Sequence, residues 1–323
     1  MTDSLLPDIV RITLPTPFPV GMANVFLIKN DPPILVDAGS RVEGAYERLA
    51  ARLEEHGLRV ADIGIVFVTH GHLDHIGLLA DIAAESHAEI YAHPYVVSQY
   101  GDYDKSTEEN VEFLEHTMRR AGVPEEMTGM IRGIRASLHS LAARVTIQHP
   151  MEDGDSVAGY TVCHVPGHSA TDVLFYHPER RVAFTGDHVI KGVTPNPLIR
   201  KPPPGRAQAK CLVEYQQSLR RTRALDIATC YPGHGSPFPN HRDIIDNLFE
   251  RHDRRTEDVR MMLTEGPLSP YEIVMRLFPK ISVPQLHLGL SVAIGHIEVL
   301  EGRGEAVSEE KDGVIRYALV DSV

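Results

Sequence analysis

The chain has 323 residues, of which 42% are hydrophobic and 24% charged, so it is long and apolar enough for one large globular domain and a small one. The formal net charge of −12 excludes a general attraction of the whole molecule to nucleic acid, although a local basic patch is compatible with it.

The cysteines and the N-terminus bear on the cellular compartment. Cys163, Cys211 and Cys230 are widely spaced and form no CxxC pair, which argues against a disulfide framework and favours a reducing cytoplasm. The first residues, MTDSLLPDIVRITLP, lack the basic and apolar regions of a signal peptide. Because no apolar run approaches the roughly 18–20 residues of a membrane span, we expect no membrane association.

Short strands and helices alternate in the N-terminal part of the chain. DIVRITLP, NVFLIKN and PPILVDAGS are typical of strands, and the last of them ends in a Gly-Ser turn. Apolar residues at helical spacing predict a helix over RVEGAYERLAARLEEHG, which ends at Gly57. The apolar run IGIVFVTH predicts a strand buried on both faces, followed by the helix DHIGLLADIAAESH, with Asp74 at its N-terminus, and by the strand AEIYAH.

A helical segment over about 94–143 is too long for a simple connection between strands. It breaks near AGVPEE, where Pro124 suits the first turn of a helix. We therefore predict a helical insertion in the larger domain. Two interpretations stay open: a lid or wall of a substrate site, or a packed helical pair with no role in catalysis.

Strand character returns in VTIQHP, YTVCHVPG, DVLFYHP and RVAFTGDHV, and a Pro-rich loop, KGVTPNPLIRKPPPG, follows them. AQAKCLVEYQQSLRRTRAL predicts an amphipathic helix, IATCYPGHG a strand that ends in a glycine loop, and about 240–263 a long helix. Two halves of mixed strands and helices favour an α/β fold, a four-layer αββα sandwich, over residues 1–264.

The composition changes at TEGPLSP, and we predict a small separate domain over 265–323. Two helix-like segments, PYEIVMRLFP and VPQLHLGLSVAIGHIEVLEGRG, precede two short strands, GEAVSEE and GVIRYALV. Helix, helix and hairpin in this order resemble a winged helix. The predicted recognition helix, QLHLGLSVAIGHIEVLEG within the second segment, contains no Lys or Arg. We therefore expect it to pack on the larger domain, or on a second subunit in a homodimer, rather than to read DNA.

The stretch VTHGHLDHIG carries three histidines and an aspartate directly after a predicted strand. Side chains two apart in an extended chain point the same way, so His70 and His72 can meet one cation, and Asp74 and His75 can turn towards a second. Imidazole and carboxylate suit zinc, and also iron or manganese. A single histidine is often a surface or core residue and Asp74 alone can cap a helix, but neither explanation covers all four residues.

Three later segments offer further ligands in one recurring context, an apolar strand, a glycine and then a polar side chain. VPGHSAT places His168, FTGDHV places Asp187 and YPGHGS places His234 in this position. Because glycine lets the backbone turn sharply, these loops can line one edge of the sheets.

The combined pattern, HxHxDH followed by separated His, Asp and His, resembles the metallo-β-lactamase superfamily over about residues 9–262. The resemblance implies two neighbouring metal ions, one held by three histidines and the second by an aspartate and two histidines, with an aspartate that bridges them. In the same order these ligands are His70, His72 and His168; Asp74, His75 and His234; and Asp187.

By the same resemblance, the chain is a dinuclear hydrolase that uses two divalent cations, zinc first and iron or manganese as alternatives. A hydroxide held between the cations attacks a carbonyl carbon or a phosphorus, and the cations stabilise the oxyanion. Asp74 is the candidate catalytic residue that receives the proton of the attacking water. Fold-level similarity does not choose among thioesters, lactones, β-lactams, phosphodiesters and phosphonates as substrates.

Four further residues are weaker candidates near this centre. Asp37 in ILVDAGS matches an acidic residue of the family at a strand end, and the resemblance implies that it orients a metal ligand. His188 can contact substrate or a carboxylate near the metals, and His93, after the strand EIYA, is either such a residue or a plain turn residue. Arg200, in the basic stretch LIRKPPPGR, can bind an anionic group of a substrate or lie on a solvated surface.

The predicted reaction is the hydrolysis of a small-molecule thioester, ester or lactone. The C-terminal segment resembles a β-lactamase-like group that contains a mitochondrial single-strand endoribonuclease and bacterial hydrolases, so a metal-dependent endoribonuclease is the alternative. TGDHVI followed by GVTPN resembles the bacterial members, whereas glyoxalase II shares the ligand motif but carries a different helical C-terminal region. A DNA-binding regulator is a third hypothesis, which the non-basic recognition helix opposes.

Overall fold

Two β-sheets pack face to face in the computed structural model, which describes residues 6–202 and 207–320. The first sheet contains, in spatial and sequence order, β1 (Ile9–Leu14), β2 (Ala23–Ile28), β3 (Ile34–Val36), β4 (Ile65–Phe67), β5 (Glu89–Ala92) and β6 (His149–Pro150). The second contains β7 (Ser156–Val157), β8 (Tyr160–His164), β9 (Val173–His177), β10 (Val182–Gly186) and β11 (Thr229–Pro232). Their spatial order is β11-β10-β9-β8-β7. Strands β3 to β6 run parallel, as do β10 and β11, and the other neighbours are antiparallel.

The helices follow the strands or lie beyond them. Those of the first half are α1 (Ala45–Glu54), α2 (Leu73–Ile76), α3 (Leu79–Ser86), α4 (Pro94–Gly101), α5 (Tyr103–Arg120) and α6 (Glu125–Leu138). Those of the second half are α7 (Cys211–Ala224), α8 (His241–Leu263), α9 (Pro270–Leu277) and α10 (Leu286–Gly302). Short 3-10 turns lie at Val60–Asp62, His139–Leu141 and Val283–Gln285, and a hairpin is formed by β12 (Ala306–Lys311) and β13 (Val314–Leu319).

Aromatic side chains fill the space between the two sheets. Phe67 of β4 stacks on Phe175 of β9 with ring centroids 4.4 Å apart. Phe184 of β10 stacks on Tyr231 of β11 and also meets Phe26 of β2 across the interface. Because these rings come from both sheets, they set the position of one sheet edge relative to the other.

Helices cover the outer face of each sheet. Leu49 of α1 and Ile82 of α3 belong to the apolar cluster on the first sheet, and Leu219 of α7 and Ile245 of α8 belong to the cluster on the second. Helix, sheet, sheet and helix thus form four layers, which confirms the predicted αββα sandwich.

The helices predicted over about 94–143 are present as α4, α5 and α6. Helix α4 packs on the first sheet, whereas α5 and α6 meet the C-terminal elements. Met118 of α5 and Ile131 of α6 share one buried cluster with Val259 of α8, Ile273 of α9 and Leu290 of α10. The hairpin contributes to the same cluster. The order helix, helix, hairpin agrees with the predicted elements, while their assignment as a winged helix stays a prediction.

One segment departs from the expectation about membrane spans. Val283–Gly302 is 20 residues long with a mean hydropathy of 1.2, so its average composition is that of a helix able to cross a membrane. Within this protein 56% of the segment is buried, and Leu290, Ile297 and Leu300 have almost no exposed surface. Its hydropathy is therefore explained by its position as the central helix of the C-terminal cluster.

A second departure concerns the helix predicted from Asp74 onward. The structure divides it into α2 and α3, with a break at Gly77 and Leu78. A Cβ atom on Gly77 would collide with the backbone nitrogen of Arg41 and the carbonyl oxygen of Leu141. This close approach of backbone segments leaves no room for a side chain, so glycine is required at position 77 although its dihedral angles are helical.

Candidate metal centre

The seven side chains that the sequence predicts as ligands lie in the segments that follow β4, β8, β10 and β11, and two of them, Asp74 and His75, belong to the short helix α2. Within three groups of them, the potential ligand atoms all lie within 4.8 Å of one another, and His70 and His75 each belong to two groups. The groups are His70, His72 and His168; His70, His75 and Asp187; and Asp74, His75 and His234. The structure therefore brings all seven together.

Asp37 follows β3, and its buried carboxylate contacts the residues that carry or adjoin two of the candidate ligands. Its Oδ2 lies 2.8 Å from His75 Nδ1, and its Oδ1 accepts a hydrogen bond from the Thr69 backbone N–H at 2.8 Å. Thr69 Oγ1 also donates to Asp37 Oδ2 at 2.8 Å, so the hydroxyl oxygen is left to accept from His70 Nδ1 at 3.1 Å. One carboxylate thus orients two of the candidate ligands, as the resemblance implies.

Three imidazole nitrogens face one another in the first group. His72 Nδ1 lies 3.0 Å from His70 Nε2 and 2.9 Å from His168 Nε2. His168 Nδ1 donates to the carbonyl oxygen of Asn196 at 2.9 Å, and His70 Nδ1 donates to Thr69, so both Nε2 atoms present lone pairs to the group. Facing lone pairs repel each other, and a cation between them removes that repulsion.

Asp187 lies between the two groups of candidate ligands. Its Oδ2 is 3.6 Å from His168 Nε2 and 3.5 Å from His234 Nε2, while its Oδ1 is 3.5 Å from His75 Nε2. Asp74 Oδ2 approaches His234 Nε2 at 3.3 Å on the far side. This placement suits the bridging role that the resemblance implies for Asp187.

Burial and charge act differently on the two groups. Burial lowers the pKa of His72 to about 3 and that of His70 well below its ordinary value, so both imidazoles are neutral. Burial also lowers the pKa of His75 and His234, but neighbouring carboxylates outweigh it, raising the pKa of His234 to about 9 and the pKa of His75 well above its ordinary value. Without a metal ion, protons on these two rings balance the carboxylates, and a divalent cation would displace them.

The donor atoms fit a pair of cations. His75 Nε2, His234 Nε2 and Asp187 Oδ1 are buried and have no hydrogen-bond partner in the described parts of the chain. Each such atom costs about 1–3 kcal/mol unless something binds it. A Cβ atom on Gly233 would collide with Asp187 Oδ1 and His75, so glycine keeps this space open. Imidazole nitrogens and carboxylate oxygens are donors for zinc, iron or manganese.

Two side chains that the sequence analysis missed hold the loop between His70 and His72. The Tyr100 hydroxyl of α4 donates to the carbonyl oxygen of Gly71 at 2.9 Å, and the Gly71 N–H donates to Thr171 Oγ1 at 3.0 Å. Both interactions join a side chain to the backbone of a distant residue, so no motif marks them. They show that the helical insertion supports the ligand loop directly.

The loop that carries His234 is held by β2 and by the hairpin loop before it. Asn24 Nδ2 donates to the carbonyl oxygens of Pro232 and Gly235, both at 2.8 Å. His234 Nδ1 donates to the carbonyl oxygen of Met22 at 2.9 Å, which directs Nε2 towards the carboxylates. The side chain of Met22 itself is 39% exposed, so an apolar surface lies beside the centre.

The three weaker histidine and arginine candidates have other partners. His188 is 1% exposed, bonds Thr222 Oγ1 at 2.8 Å and packs in the layer of α7, so it is not available to a substrate. His93 accepts from the Tyr95 N–H and caps α4, which agrees with the turn interpretation. Arg200 pairs with Glu214. Its guanidinium also donates to the carbonyl oxygen of Gly167, beside His168, and residues 203–206 of the same basic stretch lie outside the described residues.

Comparison with known proteins agrees with this geometry. The family model described as Metallo-beta-lactamase superfamily matches residues 18–234. The chain belongs to this superfamily. A probable metallo-hydrolase of Bacillus subtilis, YqjP, is 32% identical over 319 residues, which cover 96% of this chain and 97% of that protein. The chain is thus a hydrolase of the metallo-beta-lactamase superfamily.

Two further proteins resemble the chain in structure or in part of the sequence. A beta-lactamase domain protein from Burkholderia ambifaria superposes with a TM-score of 0.81 and 25% identity over 98% of this chain and 93% of that chain. An atrochrysone carboxyl ACP thioesterase of Aspergillus fumigatus is 33% identical over 120 residues, which cover 36% of this chain and 34% of that protein. The structural likeness thus extends beyond the region of the candidate ligands to the C-terminal elements.

Proposed function

We propose that this hydrolase uses two divalent cations, zinc first and iron or manganese as alternatives, to cleave a small-molecule thioester, ester or lactone. The observation that carries the proposal is the convergence of seven imidazole and carboxylate groups, in which the buried atoms His75 Nε2, His234 Nε2 and Asp187 Oδ1 have no hydrogen-bond partner among the described residues. His70, His72 and His168 would hold one cation, and Asp74, His75 and His234 the other. Asp187 would contact both.

The cations, when bound, supply a Lewis acid for the substrate oxygen and a source of hydroxide near neutral pH. The protein's own groups supply orientation and a proton acceptor. Asp74 is 7% exposed, and the charge on His75 lowers the pKa of Asp74 in spite of burial, so its carboxylate is ionised at neutral pH. We assign Asp74 Oδ1 or Oδ2 as the atom that accepts the proton of the attacking water, because Asp187 is enclosed by three imidazoles.

The surface beside the centre supports an acyl substrate. Val20 is 41% exposed and Met22 39%, and the loop that carries them is closed by a hydrogen bond from Thr16 Oγ1 to the carbonyl oxygen of Gly21 at 2.8 Å. Since Met22 also contacts His234 through its backbone, an apolar acyl chain can lie along this loop while its carbonyl reaches the centre. The similarity to a fungal acyl-carrier thioesterase supports the same substrate class.

An endoribonuclease receives less support from the charges near the centre. Arg200 is paired with Glu214 and Lys201 with Glu109, so these cations are already neutralised by carboxylates. A single-stranded RNA site needs a positively charged groove with aromatic platforms. With a net charge of −12, the chain does not favour a polyanionic substrate.

A substrate panel tests the proposal. Purified protein is loaded with defined amounts of zinc, iron or manganese and offered acyl thioesters, lactones and a single-stranded RNA. We expect turnover of at least one acyl substrate, and loss of both metal and turnover in His72→Ala, whereas His116→Ala, at an exposed histidine outside the centre, retains both. Cleavage of RNA alone would replace the acyl proposal, and full metal content in His72→Ala would remove the ligand assignment.

We further propose a cytoplasmic location, supported by three cysteines that form no disulfide. Cys211 and Cys230 are buried, and burial raises the pKa of Cys211 to about 11, so neither is a reactive thiolate at neutral pH. Mass measurement of the alkylated protein after expression in a reducing cytoplasm should show three free thiols, and any disulfide would contradict this location.

A further inference from the structure

The side chain of His168 is held from behind by a segment that has no regular structure of its own. Residues 191–202 connect β10 towards α7 without forming a helix or strand. Within this segment the carbonyl oxygen of Asn196 accepts from His168 Nδ1 at 2.9 Å, and the Leu198 N–H donates to the carbonyl oxygen of His168 at 3.2 Å. Both the ring and the backbone of His168 therefore depend on where this segment lies.

The segment is in turn attached to α10. Asn196 Nδ2 donates to the carbonyl oxygen of Leu288 at 2.8 Å, and the Ile199 N–H donates to Ser291 Oγ at 3.0 Å. Leu288 and Ser291 are three residues apart, so both contacts come from one face of the helix. Asn196 is thus the residue that touches the helix with its side chain and the candidate ligand with its backbone.

The segment faces open space on one side and is anchored on the other. A cleft of about 710 Å³ lies between α8, α10 and this segment, and its wall includes Thr194, Asn196 and Pro197. Pro195 and Pro197 are buried and Arg251 of α8 donates to Thr194 Oγ1 at 3.0 Å, so the two hydrogen bonds to α10 act together with these contacts to define its place. Pro195 and Pro197 on either side of Asn196 restrict the backbone, so a movement of the side-chain anchor is passed to the carbonyl group.

Helix α10 packs tightly against the elements on either side of it. A Cβ atom on Gly289 would meet Val274 and Ile281 at less than 3.0 Å. On the other side, Gly295 lies so near Leu212 of α7 that a Cβ atom there would be 3.0 Å from the leucine side chain. Interfaces without spare volume do not deform gradually, so α10 provides a rigid reference for the segment.

We infer that Asn196 is a positioning residue through which the C-terminal helix α10 orients His168 for metal binding. This inference rests on the proposed role of His168 as a ligand. The C-terminal elements then take part in assembling the centre, although Leu288 lies 120 residues after His168 in the chain. The effect is confined to the group of His70, His72 and His168, because the second group is held by other elements, Asp37 and the β2 loop.

The test measures zinc affinity of the full chain by competition with a chromophoric chelator. Asn196→Ala removes the side-chain anchor, and Ser291→Ala removes the second one. Ser291→Thr keeps the hydroxyl as the conservative rescue. Asn247→Ala is the matched control, because Asn247 Nδ2 also donates to a helix carbonyl, that of Asp243, but on the exposed side of α8. His168→Ala serves as the reference for loss of the site, and thermal unfolding checks the fold of each variant.

We expect two zinc ions in the wild type, loss of one in His168→Ala, and an affinity about tenfold weaker at one site in Asn196→Ala and Ser291→Ala. The cobalt-substituted form should show an altered visible spectrum in the same two variants and an unaltered one in Ser291→Thr and Asn247→Ala. If Asn196→Ala and Ser291→Ala bind like Asn247→Ala while His168→Ala loses an ion, the inference is overturned and the proposed function stands. If His168→Ala binds two ions as the wild type does, the proposed ligand role fails and the inference fails with it.

Discussion

Replacement of Asp37 by asparagine is the sharpest perturbation that the structure offers, because it changes one atom and leaves the shape. The backbone of Asp37 has φ 62, in the left-handed region, which asparagine adopts as readily as aspartate. Alanine at this position would add backbone strain to the lost interactions. Asp37→Asn therefore isolates the contribution of the carboxylate to the orientation of His75.

The expected magnitude follows from the hydrogen bonds of the carboxylate. Its oxygen Oδ1 accepts from the Thr69 N–H at 2.8 Å, and its oxygen Oδ2 accepts from the Thr69 hydroxyl and from His75 Nδ1, both at 2.8 Å. An amide retains one oxygen, so its NH2 group must face at least one donor. A hydrogen bond to a charged group contributes about 1.5–3 kcal/mol, and loss of the partner of a ligating histidine weakens metal binding about 10- to 100-fold.

Chelator competition and elemental analysis measure this effect. We expect the ion held by Asp74, His75 and His234 to be released first, so the metal content per chain should fall from two towards one as the chelator concentration rises. Asp312→Asn is the matched control, because Asp312 also has a positive φ, 53, but lies in the hairpin turn of the C-terminal segment. Unchanged binding of both ions in Asp37→Asn would refute the idea that this carboxylate orients His75.

The remaining predictions concern the centre and its support. Asp74→Asn should lower kcat at least 100-fold in steady-state assays, because the proton acceptor and a ligand are lost together. Gly233→Ala should abolish metal binding in titration calorimetry, since the added methyl group collides with Asp187. In the metal-free protein, the free energy of unfolding should fall as the pH rises from about 6.5 to about 9, because His234 has a folded pKa of about 9 against 6.5 unfolded. A chain that ends at Thr264 should give little soluble protein on expression, because the apolar faces of α5 and α6 lose their partners.

Each of these has a control and a contrary outcome. Gly129→Ala, at an open position of α6, should leave metal binding unchanged, and equal binding in Gly233→Ala would contradict the steric argument. Burial raises the pKa of Glu298 to about 8, so the ionisation of this carboxyl group also lowers the free energy of unfolding as the pH rises. This contribution is the same with or without metal. The difference between metal-free and metal-loaded unfolding curves therefore reports the histidines, and identical curves would contradict the prediction. A soluble, folded truncated chain would show that the C-terminal elements are dispensable, and wild-type kcat in Asp74→Asn would exclude it as proton acceptor.

The sequence predicted the sandwich and the seven clustered side chains because both depend on local patterns. Strand runs that end in glycine and a polar residue place His168, Asp187 and His234 at strand ends, and the spacing of His70 and His72 puts both in one loop. Such patterns can be recognised in the sequence without knowledge of tertiary contacts.

Apart from Asp37, which the resemblance implied, the supports of the cluster were not predictable in the same way. Tyr100 and Asn196 act through the backbone of residues that the chain brings close only after folding. His188 was predicted near the metals because it follows Asp187 directly in the chain. Successive side chains at a strand end point to opposite faces, however, and the His188 side chain packs against α7. The apolar spacing of α10 predicted a packed helix but not its set of partners, which are α7, α8 and α9 together with residues of α5 and α6 from the insertion.

The attachment of residues 191–202 to α10 has a consequence for protein synthesis. Leu288 and Ser291 are translated after every proposed ligand, so the nascent chain carries all seven side chains before the contacts of α10 with this segment can form. The segment behind His168 therefore gains its attachment to α10 only when the last part of the polypeptide has been made.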